Sequence, residues 1–382
     1  MKFIFAPDSF KGSLSALECC DILERVTARL FPGTETISVP VADGGEGTVE
    51  ALLRAMGGTR MQTEVTGPLF ERETAHWGLL SDGTAVMEMA EASGLPYVPM
   101  DRKDPRNATS LGTGEMIADA LRRGVRNILI GIGGSATNDG GMGMLTALGA
   151  RFTDAGGQEV SPVGGQLINV HRADFSRLMP ELADTRITVI CDVTNPLLGE
   201  NGATYIYGPQ KGATPAIRDE LEAGMVNYSR VVSEAVNRDI AGFAGAGAAG
   251  GLGAALGGVL GMQLKSGIDA VLDAVDFDKK LEGVSLAITG EGMIDGQSVR
   301  FGKVPVGVAR RCAKQGIPTL AIVGGIGEGA EGLFDLCEST MMTIATGPMS
   351  LEKAMTDASA LYEYAAERLL RAVRIGMNLK VS

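Results

Sequence analysis

The first apolar run of the chain leads directly into a group of residues able to hold an anion. In APDSFKGSLSA, Asp8, Ser9, Lys11 and Ser13 surround Gly12 just before an amphipathic stretch begins. A capped turn between strand and helix would use one hydroxyl and leave the charges in water, whereas an anion site at a helix N-terminus adds a lysine to the backbone N–H groups. Four more strand-to-glycine junctions are equally polar: VADGGEGT, GIGGSATNDGG, CDVTNPLLG and TGEGMIDGQSVRFGK. An ordinary junction needs one glycine and one cap. Five such loops at once point to a shared anion and metal site, because ligands of open α/β sheets sit beyond the carboxyl ends of the strands. Their carboxylates, Asp8, Asp43, Glu46, Asp139, Asp192, Glu291 and Asp295, suit two tasks. One is to take a proton from a substrate hydroxyl; the other is to hold Mg²⁺, which uses one or two carboxylates and keeps water or phosphate oxygens as its remaining ligands. Asp and Asn are also favoured in turns for their local hydrogen bonds, so each residue taken singly has a structural reading as well.

Standard phosphate motifs do not account for these loops. GAGAAG at 245–250 has dinucleotide-binding spacing but follows a predicted helix rather than a strand, so close packing is its expected use, with an adenine nucleotide against the backbone of Gly247 and Gly250 as the alternative. GQSVRFGKV at 296–304 has one spacer too many for a P-loop and Val304 where a metal-binding hydroxyl belongs. GIGGSA at 131–136 does follow a strand, but the adjoining TNDGG suits a wider phosphate or metal loop. Two histidines, His76 and His171, lie in segments that read as peripheral and away from any nucleophile elbow, which argues against a Ser-His-Asp hydrolase.

The elements that must position these loops follow an α/β rhythm. KFIFA, TISVPVA, NILIGIG, ITVICDV, LAITG, TLAIVGG and MMTIATG read as strands alternating with amphipathic stretches, the pattern of parallel sheets flanked by helices. Cys19, Ile22, Leu23, Val26 and Leu30 fall on one face of the first helix. From Arg60 to Asp82 the texture changes to short β-branched segments with turn pairs, which predicts antiparallel hairpins. The regular rhythm at both ends predicts a discontinuous first domain, residues 1–58 plus 284–382, with 59–283 inserted as a second α/β domain and the active site in the cleft between them.

Length and charge narrow the function class. The 382 residues are 45% hydrophobic and 21% charged, as in a soluble globular protein of two domains. A net charge of −12 and the lack of a Lys/Arg cluster exclude a nucleic-acid partner. Five cysteines without a disulfide or zinc spacing point to a reducing compartment, and no signal-like start or long apolar span is present, so the expected location is the cytoplasm without a membrane partner.

Taken together, APDSFKGSLSA, VADGGEGT, GIGGSATNDGGMGM, CDVTNPL, TGEGMIDGQS and GKVPVGVA resemble the bacterial glycerate kinase family, in its 2-kinase branch, over essentially the whole chain. The resemblance implies ATP-dependent phosphorylation of D-glycerate to 2-phosphoglycerate. It implies Mg²⁺ with ATP as co-substrate, and two α/β domains, one flavodoxin-like with a parallel sheet and one mixed and restriction-endonuclease-like. Set beside the loops, it makes Lys11, Asp192 and Asp295 the catalytic candidates, with either aspartate as base. Asp8, Ser9, Ser13, Asp43, Gly44, Gly45, Glu46, Gly47, Thr48, Gly133, Gly134, Ser135, Thr137, Asn138 and Asp139 become the substrate and phosphate set. Gly290, Glu291, Gly247, Gly250 and Lys303 are the ATP set, and Asp139, Asp192 and Glu291 the metal set. A non-catalytic regulator on the same fold, or a kinase that makes 3-phosphoglycerate, are the alternatives. A homo-oligomer is left open.

Overall fold

The computed structural model describes residues 1–42, 45 and 47–379. Asp43, Gly44 and Glu46 of the expected site therefore lie outside the described residues. In chain order the strands are β1 (Lys2–Pro7), β2 (Glu35–Ser38), β3 (Gly58–Thr66), β4 (Arg72–Leu80), β5 (Thr84–Glu88), β6 (Asn127–Gly131), β7 (Arg151–Thr153), β8 (Arg172–Asp174), β9 (Arg186–Ile190), β10 (Gln263–Lys265), β11 (Leu286–Ile294), β12 (Thr319–Ile326) and β13 (Ser339–Thr343). The chain is of the α/β class and divides into two compact units. Unit 1 comprises Met1–Asp43, Glu50–Met56 and Gly267–Ser382; unit 2 comprises Gly44–Val49 and Gly57–Ser266.

Unit 1 is built on one fully parallel sheet in the order β13-β12-β11-β1-β2. Strands covered on both faces need continuous apolar runs, and these have them: Phe3 to Ala6 in β1, Leu286 to Ile288 in β11, and Leu320 to Val323 in β12 are buried. The helix Ala16–Leu30 starts on a capping box in which Ser15 and Glu18 satisfy each other's backbone amides, and it buries Cys19, Ile22, Leu23 and Val26. The terminal helix Ala358–Met377 packs on the same side, with Tyr362 edge-on to Phe10 at 5.4 Å between ring centroids. Phe10 lies within the polar loop after β1, so this contact anchors that loop.

Unit 2 carries a six-stranded mixed sheet in the order β10-β9-β6-β5-β4-β3. Its antiparallel part is the β3–β4 hairpin continued into β5, and β5, β6, β9 and β10 then run parallel. Register brings four strand ends level, with Gly131 opposite both Glu88 and Ile190, and Ile190 opposite Lys265. The loops after β5, β6, β9 and β10 therefore leave from one edge. Trp77, Met87, Met116 and Tyr228 form part of the core behind them.

Candidate functional site

Unit 1 encloses a cavity of about 570 Å³ at the carboxyl ends of β1, β11 and β12. Its polar side gathers Asp8, Ser9, Lys11 and Ser13 from the loop after β1, Glu291 from β11, and Lys303. Two carboxylates thus share one wall with two ammonium groups. Asp8 and Glu291 are neighbours across the sheet, because Pro7 pairs with Gly290 and the Asp8 amide donates to Gly290 O at 2.8 Å. Asp8 Oδ1 also accepts from the Ser9 amide at 2.6 Å, which fixes its direction. Gly290 lies beneath these two carboxylates, where a Cβ would come within 2.0 Å of Ile322 O, so a side chain there would force β11 and β12 apart. The remaining wall is apolar: Phe10, Met293, Ile344, Leu351, Ala354 and Met355.

Asp295 does not line this cavity. It caps the helix Gly296–Phe301, with Oδ1 accepting from the Ser298 amide at 2.8 Å, and that backbone donor holds its carboxyl below the ordinary aspartate value. The segment 296–304, one spacer too long for a P-loop, is that short helix followed by a left-handed Gly302 and the start of a second helix at Val304.

The unit 2 loop Gly133–Asp139 is divided in its orientation. Gly133 and Gly134 are exposed, and Ser135 is just inside the surface. Thr137, Asn138 and Asp139 are fully buried and committed inward. Thr137 Oγ1 donates to Ala249 O, and Asn138 Nδ2 donates to Thr204 Oγ1 at 3.2 Å. Asp139 accepts from the amides of Ser110, Gly141 and Gly143 and from Ser110 Oγ, at 2.7 to 3.2 Å. These donors tie the Ser110 and 139–143 segments together around one carboxylate, whose pKa burial pushes upward against their pull.

Gly247 and Gly250 of GAGAAG are likewise interior, since a Cβ would approach Pro196 O at 2.2 Å at the first and Thr137 O at 2.0 Å at the second. Close backbone packing is thus the use the fold makes of these two glycines. Thr48 is buried at the start of the helix Thr48–Met56, its hydroxyl donating to Gly45 O at 2.7 Å, and Gly47 precedes it in the left-handed region. Asp192 stands exposed two residues past β9, on the edge from which the Gly133 loop also leaves.

Several residues absent from the sequence expectations stand against these loops and the cavity. Lys211 is only 2% exposed, and its Nζ donates to Ser135 Oγ at 2.8 Å and to Thr137 O at 2.6 Å. Loss of hydration pulls its pKa down to about 7, against the opposing pull of Asp139. In GPQKGATP a lysine between turn residues reads as solvated, and nothing local signals burial. Leu351 and Met355 reach the cavity from a helix more than three hundred residues beyond Lys11, and only the folded chain brings them there.

Comparison with known proteins adds to this geometry. The model of the glycerate kinase family matches residues 3–374. A glycerate 2-kinase of Escherichia coli K12 is 46% identical over 379 residues, covering 99% of each chain. A glycerate kinase of Bacillus subtilis 168 is 44% identical over 380 residues, again covering 99% of each. A Salmonella typhimurium LT2 protein, whose crystal structure carries the provisional designation glycerate kinase 2, superposes with a TM-score of 0.90 at 42% identity, over 99% of this chain and 100% of that one.

Proposed function

The chain belongs to the glycerate kinase family, and from that premise we propose that it transfers the γ-phosphoryl group of ATP to the 2-hydroxyl of D-glycerate, giving 2-phosphoglycerate and ADP. The family and the names of its relatives support a kinase over the non-catalytic alternative. The observation that carries the nucleotide assignment is the unit 1 cavity. Its volume lies within the range of about 300–1,000 Å³ usual for small-molecule sites and far exceeds a three-carbon acid. Its apolar wall suits a base and its two lysines suit phosphates.

Phosphoryl transfer asks little covalent chemistry of a protein, so positioning and charge neutralisation supply most of the catalysis. In this reading Lys11 and Lys303 neutralise the phosphate oxygens, with Ser9 and Ser13 as hydroxyl donors. Asp8 and Glu291 fit Mg²⁺: they are hard oxygen donors from adjacent strands, and a cation that takes its other ligands from phosphate and water needs no third carboxylate. When bound, the ion would add its positive charge to that of Lys11 and Lys303 in neutralising the phosphoryl group. Asp139, whose oxygens accept from four internal donors, is in this reading the least suited of the expected metal set.

Asp192 is the better base of the two candidates, because it stands at the loop edge of unit 2 while Asp295 is tied to its helix. It would take the hydroxyl proton as the oxygen bonds to phosphorus and the bond to the departing ADP oxygen breaks. The choice of the 2-hydroxyl is supported by the name of the Escherichia coli relative. A cytoplasmic location is supported by five unpaired cysteines. No helix among the described residues is long and apolar enough to cross a membrane.

A coupled assay with D-glycerate, ATP and Mg²⁺ should release ADP. Phosphorus NMR of the product should give a doublet, from a phosphate on a CH–O carbon. A triplet would assign the phosphate to the CH₂–O carbon and overturn the choice of hydroxyl.

A further inference from the structure

Lys211 is enclosed by the fold, and the buried carboxylate whose charge acts on it, Asp139, is not in ion-pair contact with it. Among the described residues no carboxylate lies within ion-pair distance of its Nζ, whose two acceptors are both neutral oxygens. An ammonium group has three N–H donors, so one is uncommitted, and an enclosed cation with no carboxylate in contact is costly. Its contacts all lead to one place. Ser135 Oγ accepts from Lys211, which leaves the serine's own O–H to donate, and among the described residues no acceptor takes it. The amides of Gly133, Gly134 and Ser135 also donate to no acceptor among the described residues.

This donor row is held rigidly. The Leu95 amide donates to Gly134 O at 2.9 Å and the Ala136 amide to Ser93 O at 3.0 Å, pinning the loop on both sides of Ser135. Gly133 and Gly134 are exposed just past β6, where ligands of parallel sheets are held. Three amides, one hydroxyl polarised by a lysine and that lysine's remaining N–H form a set of donors with no carboxylate in contact among the described residues, Asp139 acting on Lys211 only from beyond ion-pair distance. A single enclosed cation balances a monoanion; a polyphosphate would call for several cations, which unit 1 has in Lys11 and Lys303.

We infer that Gly133–Ser135 is the subsite for the carboxylate of glycerate, with Lys211 as the positioning residue that fixes Ser135 Oγ and places positive charge behind it. The identity of the ligand rests on the proposed glycerate reading; the oxyanion chemistry rests on the donors themselves. Clamping the carboxylate here would present the adjacent 2-hydroxyl at the edge that also carries Asp192.

The test is calorimetric titration of D-glycerate, without nucleotide, into the wild-type chain, Lys211→Met and Ser135→Ala, with ATP–Mg²⁺ titrated separately. Both variants should bind glycerate about 10- to 100-fold more weakly, the range expected for losing a charge-assisted hydrogen bond, while ATP affinity stays at the wild-type value. In steady state the KM for glycerate should rise and the KM for ATP should not. Unchanged glycerate affinity in folded Lys211→Met and Ser135→Ala overturns the subsite, as does a parallel fall in ATP affinity. If Lys211→Met does not fold, Ser135→Ala decides alone, since it deletes only a hydroxyl. A wild-type chain that binds glycerate through Lys211 but yields no phosphoglycerate breaks the kinase reading and leaves the subsite standing. Normal binding by variants of an active wild type breaks only the subsite.

Discussion

The two units place charge at the carboxyl edge of a parallel sheet in opposite ways. In unit 1, Lys11 and Lys303 line a cavity together with the carboxylates Asp8 and Glu291, so opposite charges face one space that a ligand can enter. In unit 2 the cation and the carboxylate nearest the loop, Lys211 and Asp139, are inside the protein and spend their hydrogen bonds on holding segments together. The contrast follows from dielectric environment. Charged groups that line a cavity can meet a ligand there, whereas charges sealed inside the protein are expensive, immobile and therefore suited to fixing geometry. On this comparison, substitutions in the unit 1 cavity should affect turnover before stability, and substitutions of the buried pair should affect stability or one ligand's affinity.

The largest effect should come from the proposed base. Asp192→Asn keeps the shape and removes the proton acceptor, so kcat should fall by roughly 10²- to 10⁴-fold with ATP affinity retained. Asp295→Asn should stay close to wild type, since Asn caps a helix about as well as Asp. Steady-state kinetics of the pair reverses this ranking if Asp295 is the base. Next is Lys11→Ala, for which kcat/KM should drop by about 3 kcal/mol of transition-state stabilisation while the urea midpoint hardly moves. Near-normal turnover in this variant would return the first loop to a capped turn.

Asp139→Asn should invert the pattern. Its amide group would face N–H donors that now point at carboxylate oxygens, so chemical denaturation should show a loss of about 3 kcal/mol. A stable Asp139→Asn with lost Mg²⁺ dependence would instead restore this residue to the metal set.

The smallest effect is a pH dependence of stability. Lys211 has a folded pKa of about 7 against 10.5 unfolded, so between those values the unfolded chain binds more protons and stability rises with pH. Below about 7 the lysine is charged in both states and the cost of burying it is fully present. From pH 7 to 8 the gain should be about 1 kcal/mol, read as the difference between wild-type and Lys211→Met urea curves. Parallel curves would mean that the ammonium keeps its charge in the folded state.

The α/β class was legible in the sequence because strands covered on both faces must be continuously apolar, and KFIFA, NILIG and LAITG cannot be solvated. The Arg60–Asp82 hairpin was legible through its alternation, and β3 and β4 pair there from Gly58–Leu80 to Thr66–Arg72. Local periodicity did not reveal that β5 leaves the antiparallel β4 on one side to pair in parallel with β6 on the other. The same holds for the short edge strand β10, whose three residues are too few to show a period.

The polar loops could be picked out from sequence as well, because five junctions carry more Asp, Ser and Asn than turns require. Their division between solvent and interior could not. Asp8 and Asp139 are the same residue type in similar glycine-rich surroundings; one lines a cavity and the other is sealed in by Ser110, twenty-nine positions earlier. Lys211 is hidden by its contact with Ser135, seventy-six positions away. A sequence fixes which groups can carry charge, through residue type. Whether a charge is hydrated, and hence free to bind or bound to hold, depends on which distant segments close over it, and only the tertiary structure decides that.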